Sequence, residues 1–276
     1  MRTLLLLAAL ALAAPAQAQF RLPNLDINRL MDTVKNVKKA VTEIDEPEEI
    51  EIGQDVASRL LGAAPLVADA GLQRYVNHVG RWLATQTERP DLPWRFGVLD
   101  APQLNAFAVP GGTIFITRGM LERMKSEAEL AGVLAHEIVH VLRKHHLKAI
   151  QKNAKTALAG EALNQALEER GGVAREKLIA FGTEMYGRGL DKADELEADR
   201  LGVVIAARGG YDPYGLPMVI QTLQAMNPED SGIALMFKTH PAPGERLGAL
   251  EAMQSMLDAH AAQPQVAERF LRRVRK

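Results

Sequence analysis

Apolar residues recur at helical spacing along most of the chain, whereas runs with strand character are short. The segment from Ile27 to Ile44 repeats an apolar residue every three or four positions and predicts an amphipathic helix. The same periodicity predicts helices in several later segments: Glu46 to Leu61, Ala68 to Thr85, Pro213 to Met226 and Pro243 to Leu257. The pattern therefore favours a mainly helical α+β fold.

Strand patterns are confined to the middle of the chain. Trp94 to Val98 reads as one strand, and the apolar run from Asn105 to Thr117 is interrupted by Pro110-Gly111-Gly112. Such a break between β-branched and apolar residues is typical of strand, turn and strand. A small sheet is therefore expected beside the helices.

The segment from Ser126 to His146 predicts a buried helix. Ser126 and Glu129 have the spacing of a capping box, and the residues that follow are apolar helix formers without proline. Arg143 stands where a glycine could have stopped the helix, so we expect the helix to continue through His146.

This helix carries His136-Glu137-Ile138-Val139-His140. Histidines four apart share a helix face, so both rings can reach one metal ion, and Glu137 lies at the edge of that face. Zinc lowers the pKa of a bound water to about 7, and a nearby carboxylate can then take its proton. The motif predicts a metal-dependent hydrolase; the alternative is a core helix whose histidines are only hydrogen-bonded.

A catalytic zinc site needs a third protein ligand. On a continuous helix His146 would lie about 80° round from His136 and about 15 Å along the axis, so we exclude it as a ligand. His145 and His146 are instead expected to be solvated.

Carboxylates at the start of a later helix, in Asp191-Lys-Ala-Asp-Glu-Leu-Glu-Ala-Asp199, offer better candidates. Glu195 and Asp199 are four apart, so one could bind the metal while the other orients a histidine. Asp191 is also four from Glu195, so the spacing leaves the choice open, and Glu197 should point away. The acidic residues could also simply complement the helix dipole.

The HEIVH and ELEAD motifs, with Thr239-His240-Pro241 and Arg246, resemble the zinc metallopeptidase family that includes HtpX, BepA, LoiP and the CAAX prenyl proteases. The resemblance implies a zincin-like (gluzincin) fold and one Zn²⁺ per chain. It makes Glu195 the third ligand, places Asp199 and Arg246 behind the ligands, and brings His240 near the metal. There His240 would stabilise an oxyanion or occupy the open coordination position at rest.

The resemblance also implies a function in the cell envelope. The substrates would be unfolded or mis-assembled envelope proteins, held in extended form along an edge strand for which Asn105 to Val109 is the candidate; an ordinary buried hairpin is the alternative. Residues 148–188, rich in alanine, lysine and glutamate, are expected to form a helical insertion that covers the cleft or merely packs beside it.

Composition and charge narrow the remaining choices. The chain has 276 residues, 47% of them hydrophobic, a net charge of −1 and no cysteine, so neither nucleic-acid binding nor a disulfide framework or lipid-bearing cysteine is indicated. Residues 1–18 have the pattern of a signal peptide, and no later stretch is apolar enough to span a membrane. A soluble periplasmic protein is therefore expected.

The predicted organisation is a signal peptide (1–18), an amphipathic segment (19–45) that could contact a membrane or partner, a zinc metallopeptidase domain (46–261) and a solvated basic tail (262–276). Two other functions remain possible from the sequence. One is a metal-bound, chaperone-like binding factor with a self-inhibited site. The other is a structural zinc site in which His240 is a permanent fourth ligand.

Overall fold

The computed structural model describes residues 44–152 and 189–275. The predicted signal peptide, nearly all of the amphipathic segment and residues 153–188 of the insertion lie outside them. No helix within the described ranges combines the length and apolarity needed to cross a membrane.

Helices make up most of the described chain, and local sequence explains where they begin. The Asp45 side chain accepts a hydrogen bond from the Glu48 N–H at the start of the helix Glu46–Ala63. The Ser126 hydroxyl accepts one from the Glu129 N–H at the start of the helix Glu127–Leu142. The helices are α1 (Glu46–Ala63), α2 (Ala70–Ala84), α3 (Arg118–Arg123), α4 (Glu127–Leu142), α5 (Lys192–Arg208), α6 (Gly215–Gln224), α7 (Ala234–Thr239), α8 (Pro243–Glu251), α9 (Gln254–His260) and α10 (Ala267–Val274).

The strands β1 (Arg95–Leu99), β2 (Ala106–Val109) and β3 (Thr113–Thr117) form a sheet in the order β1-β3-β2. β1 runs parallel to β3, and β2 pairs with β3 in antiparallel register through the predicted turn. β2 therefore forms one edge of this sheet, and it packs against α4. The predicted mainly helical α+β fold, with a small sheet beside the HEIVH helix, is confirmed.

The core is built around α4, in which every residue from Glu127 to Val141 is buried. This helix packs against α2, α5, α6 and β2. Gly202 of α5 lies so close to α4 that a Cβ atom there would stand 3.0 Å from the His136 backbone nitrogen. The missing side chain thus lets the two helices approach each other at the level of the motif.

The predicted continuation of α4 to His146 is wrong. The helix ends at Leu142, and Lys144 adopts a left-handed conformation with φ of 56° before a new helical turn starts at residue 145. A left-handed residue costs about 1–3 kcal/mol, so surrounding contacts must hold it. Lys144 Nζ lies 2.8 Å from Oε2 of the buried Glu49 carboxylate on α1, a partner that the local sequence does not reveal. The bend redirects the residues after Lys144 towards α5.

The predicted solvated basic tail is helical and only partly solvated, since Arg272, Arg273 and Arg275 are exposed whereas other residues pack on the protein. Residues 267–274 form α10, in which Phe270 is fully buried and Arg269 contacts the buried carboxylate of Glu127 at the start of α4. Tyr75 and Tyr211 donate hydrogen bonds of 2.7 and 2.8 Å to the same carboxylate. The C-terminal segment therefore packs on the body of the protein.

A further difference is that the helix predicted from Pro243 to Leu257 is divided into α8 and α9.

We expect Arg269→Ala to lower the free energy of unfolding by about 1–3 kcal/mol, since it removes a charged donor from a buried carboxylate. Arg272→Ala is the matched control, because Arg272 pairs with exposed Glu268 of the same helix, and we expect a change within about 0.5 kcal/mol. Urea unfolding of both variants at pH 7 measures the difference.

Acidification provides a second check on this ion pair. Burial raises the pKa of Glu127, but its bonds to Arg269, Tyr75 and Tyr211 outweigh burial and hold that pKa below its usual value. The contribution of the carboxylate is therefore present at neutral pH and is lost as pH falls through the lowered pKa. The gap between the parent and Arg269→Ala should shrink on acidification; equal stability of the two at pH 7 would contradict the assignment.

Candidate metal centre

Helices α4 and α5 bring His136, His140 and Glu195 together in the interior. His136 Nε2 and His140 Nε2 are 3.0 Å apart, and each lies 3.6 Å from a Glu195 carboxylate oxygen. All three side chains are nearly inaccessible to solvent. One ligand atom from each lies within 4.8 Å of the others, so the group could hold a metal ion.

The donor atoms fit a tetrahedral ion. Zinc–ligand bonds of about 2.0–2.2 Å place neighbouring ligand atoms about 3.3–3.6 Å apart, close to the spacings between these three side chains. Glu195 Oε2 is buried and accepts no hydrogen bond within the described part of the chain. A buried carboxylate oxygen without a donor is costly, and a cation would satisfy it.

Asp199, one turn beyond Glu195, lies behind His136. Its Oδ1 atom is 2.9 Å from His136 Nδ1, the ring nitrogen that points away from His140. Arg246 of α8 binds both Asp199 oxygens, at 2.9 Å through Nε and at 2.6 Å through a terminal nitrogen. Burial raises the pKa of Asp199, but Arg246 outweighs it and holds that pKa far below its usual value. The carboxylate therefore stays charged and fixes the orientation of the His136 ring.

The electrostatics of the two histidines differ. Burial lowers the pKa of His136, yet Asp199 and Glu195 outweigh burial and raise it to about 9. Burial lowers the pKa of His140 well below its ordinary value, so His140 is neutral. The pKa of Glu195 lies well below its ordinary value, because the surrounding histidines, of which His136 has the raised pKa, outweigh burial. The carboxylate charge of Glu195 in an enclosed site favours a cation.

Glu137 lies in the same cleft as His140 and Glu195, together with residues of β2 and the segment before α5. The cleft is lined by Asn105, Ala106, Phe107, Glu137, His140, His146, Gly189, Leu190, Glu195, Thr239 and His240. Burial raises the pKa of Glu137 to about 7, while a backbone hydrogen bond from Ala108 of β2 lowers it. A carboxylate with such a pKa can both accept and release a proton near neutral pH.

His240, at the end of α7, faces this cluster. Its Nε2 atom is 3.5 Å from Glu195 Oε2, and its Nδ1 atom is 3.0 Å from the Thr239 hydroxyl. Burial lowers the pKa of His240 to about 4, so the ring is neutral at pH 7. The structure thus brings together every site residue that the sequence suggested: His136, Glu137, His140, Glu195, Asp199, His240 and Arg246. Asp191, the alternative left open by spacing, is exposed and lies beside Lys152.

His145 and His146 are the residues that the sequence analysis misplaced. Both were expected in solvent, but His145 is buried beside His140, and His146 lines the cleft with its ring centroid 5.3 Å from that of His140. Burial lowers the pKa of both, to about 3 for His146. The bend at Lys144 is responsible for these positions. Glu197 points away from the group of His136, His140 and Glu195, as expected, and lies 3.2 Å from His145.

Comparison with known proteins identifies a peptidase relationship. A family described as "Peptidase family M48" matches residues 70–254, which include both ligand-bearing helices. The chain is 29% identical over 265 residues to the "Beta-barrel assembly-enhancing protease" of Yersinia pestis, covering 92% of this chain and 54% of that protein. It is 31% identical over 207 residues to the protein of that name from Escherichia coli O157:H7, covering 72% and 42%.

A mitochondrial protein is also similar. The "Mitochondrial metalloendopeptidase OMA1" of Arabidopsis thaliana is 30% identical over 168 residues, which cover 60% of this chain and 33% of that protein. The matched region spans about half or less of each of these relatives. Since the family match extends over more than half of the chain, we conclude that this protein belongs to peptidase family M48.

Proposed function

We propose that the protein is a zinc-dependent endopeptidase in which His136, His140 and Glu195 hold one ion and Glu137 is the general base. The observation that carries this proposal is the convergence of those three donors within 4.8 Å, with Glu137 lining the same cleft. Zinc bound there would polarise a peptide carbonyl and lower the pKa of a water molecule.

Other side chains of the site orient the ligands and transfer the proton in the proposed reaction. Asp199, held by Arg246, keeps the His136 ring oriented with Nε2 towards His140 and Glu195. Glu137 takes the proton from the attacking water and passes it to the leaving amine, for which a pKa near 7 is suited. The intact base favours a peptidase over a metal-bound binding factor, because a binding protein has no need of a proton acceptor at this position.

The edge strand β2 is the proposed binding site for an extended substrate. Asn105, Ala106 and Phe107 line the cleft that contains Glu137, and the Ala108 backbone bonds to the Glu137 carboxylate. A peptide pairing with an edge strand gains main-chain hydrogen bonds and little sequence selectivity. This arrangement suits unfolded chains better than a single defined sequence.

We further propose that the substrates are unfolded or mis-assembled proteins of the cell envelope and that the protein works in the periplasm. Similarity to proteins named beta-barrel assembly-enhancing proteases supports the proposal. The signal-peptide pattern at residues 1–18 supports export. Fusion of residues 1–18 to an export reporter, followed by cell fractionation, tests the proposed periplasmic location. A reporter retained in the cytoplasm would contradict it.

Metal removal tests the central proposal. We expect the purified protein to cleave unfolded casein, to lose that activity on dialysis against a chelator, and to regain it with one equivalent of Zn²⁺. Metal content measured on the same samples relates activity to occupancy. Cleavage that persists in metal-free protein would refute the proposed function.

The proton positions around His240 favour one of its two proposed roles. The Thr239 hydroxyl donates to the Leu235 carbonyl at 2.8 Å, so its oxygen is left to accept from His240 Nδ1. His240 Nε2 then carries a lone pair directed at the cluster, which suits metal binding, whereas stabilising an oxyanion requires an N–H. We therefore expect His240 to occupy the open coordination position in the resting protein.

His240→Ala should then retain one zinc per chain and cleave casein faster than the parent, because an open position is required for the reaction. His260→Ala, on α9, where the ring contacts the Met256 carbonyl of the same helix, is the control and should leave cleavage unchanged. Slower cleavage with zinc retained would assign His240 to transition-state stabilisation instead. Loss of zinc and folding together would indicate a structural fourth ligand.

A further inference from the structure

His145 links the metal-binding histidine His140 to a carboxylate of α5. The Nδ1 atoms of His140 and His145 are 3.0 Å apart, and His145 Nε2 lies 3.2 Å from Glu197 Oε2. His145 is buried, whereas the Glu197 side chain is 37% exposed. The three groups form a chain of contacts that leads from the metal cluster to the protein surface.

The proton positions on His140 and His145 follow from the role of His140 as a metal ligand. Its Nε2 atom faces His136 and Glu195 and must keep its lone pair to bind a metal, so its proton resides on Nδ1. That N–H points at His145 Nδ1, which must therefore accept. The proton of neutral His145 is then on Nε2 and faces Glu197, whose carboxylate can only accept. Each contact thus joins one donor to one acceptor.

His145 also belongs to another group of possible metal ligands. Atoms of His145, Asp194 and Glu197 also lie within 4.8 Å of one another. A cation bound to His145 Nε2 would require its proton on Nδ1, where it would face the N–H of metal-bound His140 at 3.0 Å. Two donors in contact repel each other, so the two groups cannot both hold a metal in this arrangement. The carboxylates serve His145 as acceptors instead.

We propose that His145 is a positioning residue that fixes the proton and ring orientation of the metal ligand His140, with Glu197 as its anchor. This inference rests on the metal site of the proposed function. It gives His140 the counterpart of what Asp199 and Arg246 provide for His136. It also explains why the chain adopts the left-handed bend at Lys144, since that bend places His145 behind His140.

Zinc affinity of the full chain, measured by competition with a chromogenic chelator, tests the proposal without reference to cleavage. His145→Leu removes the acceptor, and we expect zinc affinity to fall about 10- to 100-fold. His145→Asn places a carbonyl oxygen where Nδ1 lies and should recover most of the lost zinc affinity. Parent-like zinc affinity in a folded His145→Leu protein would overturn the proposal.

Variants of Glu197, the exposed member of this series of contacts, test the role of His145 even if His145→Leu fails to fold. Glu197→Gln weakens the anchor and should reduce zinc affinity several-fold, by less than the effect of a direct neighbour. Glu88→Gln is the matched control, because Glu88 and Glu197 both pair with Arg143 but only Glu197 reaches His145. Equal zinc affinities of these two variants would count against the proposal.

Nitrogen-15 NMR of the histidine rings in the zinc-loaded parent provides a readout that a merely structural role would not move. We expect protons on His140 Nδ1 and His145 Nε2. A proton on His145 Nδ1, or a second zinc that is lost in His145→Leu, would overturn the assignment. If the parent binds zinc as expected but does not cleave casein, the proposed function fails while the role of His145 stands.

Discussion

Glu137→Gln should reduce cleavage of unfolded casein by at least about a hundredfold, because general-base catalysis contributes about 10²- to 10⁴-fold and an amide cannot accept the proton. The substitution preserves shape, and Glu137 is not one of the three proposed ligands, although it shares a possible metal group with His136 and His240. We therefore expect one zinc per chain in the variant. Initial rates and metal content measured on the same preparation give both quantities.

Glu129→Gln is the matched control for this prediction. Glu129 is also a buried glutamate of α4, and its carboxylate accepts from the Lys125 N–H just before the helix cap, a bond that glutamine can reproduce. Cleavage by this variant should be close to that of the parent. Parent-like rates in Glu137→Gln would remove the assigned base, whatever the metal content.

Glu195→Gln should weaken zinc binding by at least about a hundredfold. A structural zinc site contributes about 10–16 kcal/mol through its ligands, or about 3 kcal/mol for each, and 1.4 kcal/mol corresponds to a factor of ten. Glutamine keeps the size of the side chain but loses the charge that His136 and His140 face. Chelator competition measures the dissociation constant, and cleavage should be lost at limiting zinc.

Asp191→Asn provides the comparison, because sequence spacing alone placed Asp191 and Asp199 on equal terms around Glu195. The Asp191 side chain is 75% exposed and pairs with Lys152 at the surface, so its loss should leave zinc affinity unchanged. A strong effect of Asp191→Asn together with a weak effect of Glu195→Gln would mean that the ligands have been assigned to the wrong carboxylates.

The sequence was sufficient where chemistry depends on neighbours along the chain. Helix geometry alone places His136 and His140 on one face, and the Ser126 cap starts α4 where the capping pattern predicts. The β2–β3 hairpin follows from the Pro110-Gly111-Gly112 turn. These features depend on contacts a few residues apart, so their energies can be estimated from local patterns.

The predictions from sequence were wrong where contacts with distant residues outweighed the local conformational preference of the backbone. Nothing near Lys144 predicts a left-handed residue; the buried Glu49 carboxylate on α1 pairs with Lys144 and helps hold the bend. Phe270 and Arg269 look like part of a charged tail until α10 is seen to pack on α2 and α4. In both cases the pairing of a buried carboxylate or the burial of an aromatic ring stabilises more than the local sequence can indicate.

The candidate centre divides in the same way. The amino-acid sequence by itself determined a motif helix, an acidic partner helix and a short list of carboxylates that could complete a metal site. Only the tertiary structure separated Glu195 from Asp191, placed Asp199 and Arg246 behind His136, and turned His145 towards His140. Helical periodicity fixes which face a residue occupies, but the distance between two helices depends on how they pack, as at Gly202 beside His136.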